Sequence, residues 1–406
     1  KPGRKGRISS EEKLKLAVRI EEVYPDRIDP EQCTLSHKSP VWRFENGAAV
    51  LVAYHVYRGG RNQFGKIPGR LGRSEFGIEI IIAIAYQVFI LGLSFDKVCA
   101  LMKFFTNLKL SKGQADSLMN QLARHWESEF DTLCTLLANS AVVHADETGW
   151  SINSVWAFLS ESVRVLFFGV QKDGETLKTI LNLETFAGVI VSDDAAVYAN
   201  FTKAQKCWAH LIRKAIKLAL QNPDDKVYAK FLDELCDIYQ EAVRCRHDRR
   251  LSVGRAEKVC ELQEMIRSLC TRHGETIAED MTDDHEATFI RLQNELVDNL
   301  ACLFVFVEHP DVEPTNNRSE RNVRREAEIR KGGRTSKTPT GARRRSVIMT
   351  VLASLQTRFA RFTLENLLSE VQRWFEQGRS IFELELAELQ KVNPPPICKP
   401  ILLPSC

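Results

Sequence analysis

Two short apolar runs, each ending on an aspartate, constrain this chain more than anything else in it. AVVHADET carries Asp146 and GVIVSDD carries Asp193. Both are rich in β-branched residues and short, so each reads as a buried strand. A carboxylate at the end of such a strand is costly unless something binds it. Ligand sites in α/β sheets gather at strand ends, and carboxylates converging there make a site for a hard cation.

The surroundings fit a mixed sheet. AVVHADET, SVWAFLSES and VRVLFFGV follow one another as three strands of a meander. A helix over residues 175–183, the strand GVIVSDD and the helix AHLIRKAIKLAL come next. Pattern alone leaves this as one α/β architecture among several.

Upstream, KPGRKGR is a basic arm that includes Arg4 and Lys5. Ser9 and Ser10 can cap a short helix ahead of Glu11 and Glu12. Residues 29–60 turn β-like, with Asn46-Gly47 as a hairpin turn, and Pro68, Gly69, Gly72 and Gly77 mark a linker. The apolar stretch Ile80–Leu93 is too short to span a bilayer and reads as a buried helix. Two further helices meet near Asn107–Gly113, where Ser111 and Gln114 suit a capping box. That outline is common in buried helix pairs and is also that of a DNA-reading element. Downstream, Val227 to about Phe304 is polar-helical and reads as an all-α insertion. Its basic run RCRHDRR is either a solvated junction or a phosphate contact.

Net charge is only +3, so any basic surface must come from local clustering. One cluster stands out: 11 Lys or Arg against three acids between Arg318 and Arg345. Glu320 lies inside it. Asn317 to Glu320 also fits a capping box, and that role is compatible with a metal-binding one. Arg318, Arg321, Arg324, Arg325, Arg330, Lys331 and Arg334 would hold phosphates beside it. The 11 cysteines form no Cys-x-x-Cys pair and read as reduced and intracellular. Cys207 and His210 form a Cys-x-x-His pair, but zinc would need two further ligands and none stands nearby at suitable spacing.

HADETGW, GVIVSDDAAVY, QKCWAHLIRK and PTNNRSERNVR…RKGG…G come in the order found in DDE transposases, and resemble the insertion-sequence 66 family in particular. The resemblance spans about Pro68 to Thr363. It implies a ribonuclease-H-like catalytic domain over 139–221 plus 302–345, with the all-α insertion at 222–301. The remaining divisions are an arm and short helix (1–28), a small β-hairpin module and linker (29–75), a helical region open to DNA contact (76–138), and C-terminal helices and tail (346–406).

It implies further that Asp146, Asp193 and Glu320 are the catalytic acids and hold two Mg²⁺ or Mn²⁺ ions. They are 47 and 127 residues apart in turn. Asp194 stands where the family usually has glycine, so it competes with Asp193 for the second position. Cys207 and His210 become active-site support, and Arg213, Lys214 and the basic segment contact DNA. Relatives often carry a cysteine-rich zinc ribbon near the N-terminus. Here only Cys33 and His37 remain, so no zinc is expected there. The implied partners are transposon ends and target DNA, with at least a dimer on DNA and room for accessory transposition proteins. The expected location is the bacterial cytoplasm, at the nucleoid. The alternatives are a transposase-derived DNA-binding protein with idle catalysis and a structure-selective ribonuclease-H-like nuclease.

Overall fold

Ser9 starts the first helix as its residue type suggests: its hydroxyl accepts from Glu12 N–H at 3.1 Å, and the Glu12 carboxylate accepts from Ser9 N–H at 2.8 Å. The computed structural model describes residues 8–182, 184–193, 195–201, 203–251, 253–273 and 285–392. Arg4, Lys5, Asp194, Leu183 and the C-terminal tail therefore lie outside the described residues. The chain divides into two compact units, one running to Leu133 and resuming at Thr338, the other Cys134–Lys337.

In the first unit, α1 (Ser10–Lys15) precedes β1 (Arg19–Val23), β2 (Thr34–Glu45), β3 (Ala48–Gly60) and β4 (Gln63–Phe64). β2 and β3 form a hairpin closed by the pair Glu45 and Ala48. Its turn needs positive φ at both central residues, and Asn46 (48°) and Gly47 (80°) supply it. β1 is a strand that the sequence reading lacked. It is charged and mostly exposed, and it pairs in parallel along β3 from Arg19/Val52 to Val23/Val56.

The apolar stretch begins as α2 (Ile78–Ala85) and continues through a wider π-type turn, Tyr86–Ile90. Ile78, Ile80, Ile81, Ile82 and Ile84 are fully buried. Then come α3 (Phe95–Thr106) and α4 (Lys112–His125), joined through a left-handed Asn107 and the Ser111/Gln114 capping box. The unit boundary falls within α5 (Glu127–Ala138).

The second unit is built on a five-stranded sheet: β5 (Val142–Gly149), β6 (Ser154–Leu159), β7 (Arg164–Val170), β8 (Val189–Ser192) and β9 (Ala204–Lys206), in the order β7-β6-β5-β8-β9. β5, β6 and β7 are antiparallel neighbours; β8 and β9 run parallel to β5. α6 (Gly174–Ile180) crosses from β7 to β8. Gly188 is required at the entry to β8, because a Cβ there would stand 2.4 Å from Ser140 O and 2.8 Å from Ala141 O.

α7 (Trp208–Gln221) leaves the sheet and meets a helical block of α8 (Lys226–His247), α9 (Arg255–His273), α10 (His285–Asp298), α11 (Leu300–Leu303) and α12 (Val305–Glu308). These helices share one core with β8: Val189 and Val191 are continuous with Trp208, Phe231, Leu262 and Leu303. Buried Gln205 ties β9 to the block, donating to Leu303 O at 3.0 Å and accepting from Phe306 N–H at 3.0 Å. The Trp208 indole also donates to Leu303 O, at 2.6 Å. α13 (Asn317–Lys331) returns across the sheet, with Val323 packed on Ala157 and Leu159 of β6.

The first unit then resumes with α14 (Pro339–Arg358), α15 (Leu364–Gln377) and α16 (Ile381–Val392). The sequence pattern started α14 at Ser346. In fact Thr338 caps it and Pro339 opens it, so the last arginines of the basic segment are helical. Arg343 bonds Glu127 at 2.9 Å, Arg344 bonds Asp116 at 2.6 Å, and Arg345 is buried. These three hold the fold, which corrects the expectation that the whole segment grips phosphate. No described helix is long and apolar enough to cross a membrane.

Candidate active site

Parallel pairing of β5 with β8 sets the positions of the two aspartates. Val142, Val143 and His144 lie beside Val189, Ile190 and Val191. Two residues further on, the same register brings Asp146 beside Asp193, each at the C-terminal end of its apolar run. Across β6, Asp146 faces Ala157, the residue on which Val323 of α13 packs. Glu320 stands one helical turn before Val323, on the helix that covers this face of the sheet.

Asp146 carries the site's electrostatic cost. Burial, then repulsion from Glu147 and Asp193, push its carboxyl up to about 7. The Glu147 N–H, 2.8 Å from its Oδ1, offsets part of this, and Glu320 adds a smaller repulsion. Asp193 Oδ1 accepts from Ala195 N–H at 3.0 Å, while Lys206 Nζ lies 3.3 Å from the Asp193 carbonyl. Among the described residues, neither carboxylate has a side-chain hydrogen bond or an ion pair.

Glu147 is differently placed. β5 stays paired with β6 through Gly149, so Glu147 projects to the opposite face from Asp146. There it takes Lys172 at 2.7 Å and the hydroxyl of buried Tyr198. Burial and this carboxylate push the Tyr198 phenol far up, and the bond that Lys172 itself makes to Glu147 raises the lysine. Neither partner was visible in the sequence.

Glu320 also has its own company. Arg213 reaches both of its oxygens, at 3.3 and 3.2 Å. His210 Nδ1 is 3.4 Å and Cys207 Sγ 4.0 Å from Glu320 Oε1. Among the described residues, Cys207, His210 and Glu320 are the one set of three such side chains whose ligating atoms all fall within 4.8 Å of one another. Asp146, Asp193 and Glu320 are not gathered that closely. Nor is the Glu320 capping role formed: α13 starts after Asn316, without a side-chain cap.

Asn316, missed by the sequence reading, organises the junction. It is fully buried, donates from Nδ2 to Ala145 O at 2.7 Å, and accepts at Oδ1 from the Ser319 hydroxyl at 2.6 Å. His144 Nδ1 lies 3.3 Å from the same Oδ1, and burial lowers that imidazole's basicity. The Asn316 backbone N–H meets Cys207 Sγ at 3.1 Å. One asparagine thus links β5, α7 and α13. Its only trace in the sequence is its place in PTNNRSE.

The expected phosphate-binding residues divide. Arg321, Arg324 and Lys331 are exposed and Arg325 is half-buried. Burial lowers Arg164, and repulsion from Arg318, Arg325 and Arg321 lowers it further, so these four form one positive patch. Arg318 and Arg330 also donate to the carbonyls of Glu161 and Gly149. Arg334 is exposed, on the segment after α13. Lys214 is paired with Glu295 at 2.7 Å, and Arg213 with Glu320.

A family model described as Transposase IS66 family matches residues 73–344, well over half of the 406. No curated protein sequence matches the chain.

Proposed function

The chain belongs to the IS66 family of transposases, and from that premise we propose that it cleaves the ends of a DNA element and joins the freed 3′ ends to target DNA. The observation that carries this reading is the register that brings Asp146, inside β5, beside Asp193, just past the end of the parallel neighbour β8. The strand order, three antiparallel strands followed by two parallel ones, supports a ribonuclease-H-like assignment for this unit.

The residues fit a hard divalent cation. Asp146 is destabilised by burial and by like charge, and among the described residues neither aspartate carboxylate is bound to a cationic side chain. Oxygen-only donors that repel one another suit Mg²⁺ or Mn²⁺. Two such ions would polarise the scissile phosphate and stabilise the attacking and leaving oxygens of an in-line displacement. Asp146 and Asp193 would hold them, and Glu320 would join after giving up Arg213. Arg321, Arg324, Arg325 and Lys331 then grip the DNA backbone on the α13 side, which makes binding steeply salt-dependent. Two ends must be brought together, so at least a dimer acts on DNA, with room for accessory proteins.

One observation favours the second reading, a DNA-binding protein with idle catalysis: Glu320 is paired with Arg213. A strand-transfer assay with the element's own terminal repeats and Mg²⁺ or Mn²⁺ separates the two. Asp146→Ala, Asp193→Ala and Glu320→Ala should each lower cleavage by about three orders of magnitude, roughly 4 kcal/mol of barrier, with DNA binding retained. Tight binding with no cut by the wild type selects the idle reading. Loss of cleavage in Asp194→Ala, with Asp193→Ala active, moves the second acid by one position.

A further inference from the structure

We propose that Cys207, His210 and Glu320 form a three-ligand site for a borderline-soft divalent cation, Zn²⁺ above all, which shares only Glu320 with the hard-cation site at the aspartates. The donor set is one sulfur, one imidazole nitrogen and one carboxylate oxygen. That is the chemistry of zinc, while two carboxylates alone suit Mg²⁺.

Distances support it. Ligands about 2.0–2.3 Å from a tetrahedral zinc stand about 3.3–3.6 Å apart. His210 Nδ1 is 3.4 Å and Cys207 Sγ 4.0 Å from Glu320 Oε1, so small side-chain shifts close the set. Orientation is a second, independent observation. Among the described residues, His210 Nδ1 is a buried atom that makes no hydrogen bond, although a carboxylate oxygen lies beside it. A buried imidazole nitrogen in that state lacks the partner an ion would supply.

The sulfur is also held in place. Cys207 sits immediately before the first residue of α7, a 14-residue helix, and takes the Asn316 N–H at 3.1 Å. Burial raises the Cys207 thiol and the Asn316 N–H opposes part of that, so the ion itself would draw the proton off. Binding releases the thiol proton, so atoms and charge balance. Arg213 now touches both Glu320 oxygens and would yield Oε1 to the ion. That contact is half exposed and of small worth. The sequence reading of this pair found no nearby third ligand because Glu320 is 110 residues beyond His210.

One consequence rests on the proposed DNA chemistry: both sites need Glu320, so zinc would hold back the carboxylate that the aspartates require. The binding test does not depend on that chemistry. The full-length protein, stripped with chelator and kept reduced, is titrated with Zn²⁺ alone by calorimetry. It is titrated separately with Co²⁺, followed by the thiolate-to-cobalt absorption band. The expectation is one ion per chain, a cobalt–thiolate band, and release of about one proton.

Cys207→Ser should remove the band. His210→Ala, at a partly exposed position that keeps the fold testable by circular dichroism, should weaken Zn²⁺ more than about 100-fold, beyond the loss typical of an outer partner. Asp146→Asn and Asp193→Asn should bind Zn²⁺ like the wild type. No binding by the wild type, or undiminished binding by folded His210→Ala, overturns the site. Zinc binding without DNA cleavage leaves this site standing and sinks the proposed function; cleavage without zinc binding does the reverse.

Discussion

Asp146 and Glu320 face the same side of one sheet, yet the protein treats their charges in opposite ways. Asp146 is largely buried among like charges and, among the described residues, has only a backbone N–H to accept from. Glu320 has an arginine, a histidine and a thiol around its carboxylate. The first is left expensive; the second is already satisfied. A carboxylate kept costly in the folded protein has a reason to bind a cation, and one that is already paired has a reason to wait.

The largest stability effect should come from the residue that holds the two regions together. Asn316→Ala removes the bond to Ala145 O and leaves the Ser319 hydroxyl without its side-chain acceptor inside the protein. A loss of about 2–4 kcal/mol is expected in urea unfolding. A loss below ~1 kcal/mol would mean that β5 and α13 are not coupled through it.

The next two changes should differ in sign. Asp146→Asn relieves buried repulsion and should stabilise the metal-free protein at pH 8 by about 1–3 kcal/mol, seen as a higher melting temperature. Glu320→Gln leaves Arg213 without its counter-charge and should destabilise by about 0.5–1 kcal/mol. If both substitutions shift stability in the same direction, the contrast between these carboxylates is wrong.

A pH effect in the first unit calibrates the others. Burial pushes Glu129 up to about 7; its bond from the Ser380 hydroxyl opposes this, and Glu383 and Glu370 add to it. Its folded pKa lies above the unfolded value near 4.5, so the folded state holds an extra proton between the two. Stability should therefore fall as pH rises from about 4.5 to 7 and level off above, with Glu129→Gln removing that slope. Chemical denaturation at several pH values reads it directly.

Much of this was legible in the sequence, for reasons that can be named. β5, β6, β7 and β8 were visible because buried strands are apolar and bounded, and the 45–48 hairpin because Asn-Gly suits its turn. β1 was hidden, since RIEEV owes its pairing to β3 and not to its own composition. β9 has only three residues, two of them polar. At the site, the aspartates were marked by the ends of their apolar runs, although β5 itself continues past Asp146 to Gly149. Asn316 and the Arg213–Glu320 pair depend on contacts 107 or more residues apart in sequence, which no local pattern records. Arg213 and Lys214 looked like phosphate grips because side-chain charge can be read from sequence and its partner cannot.

The buried amide of Gln205 has a consequence for how this chain can be shortened. It and the Trp208 indole spend their polar groups on Leu303 and Phe306, at the far end of the helices that follow α7. A chain trimmed to run from α7 straight into α13 would strand those groups beside β9 and strip Val189 and Val191 of their cover. The helical block is therefore no removable cassette. Any compact derivative of this protein must keep it, or redesign the end of the sheet on which Asp193 stands.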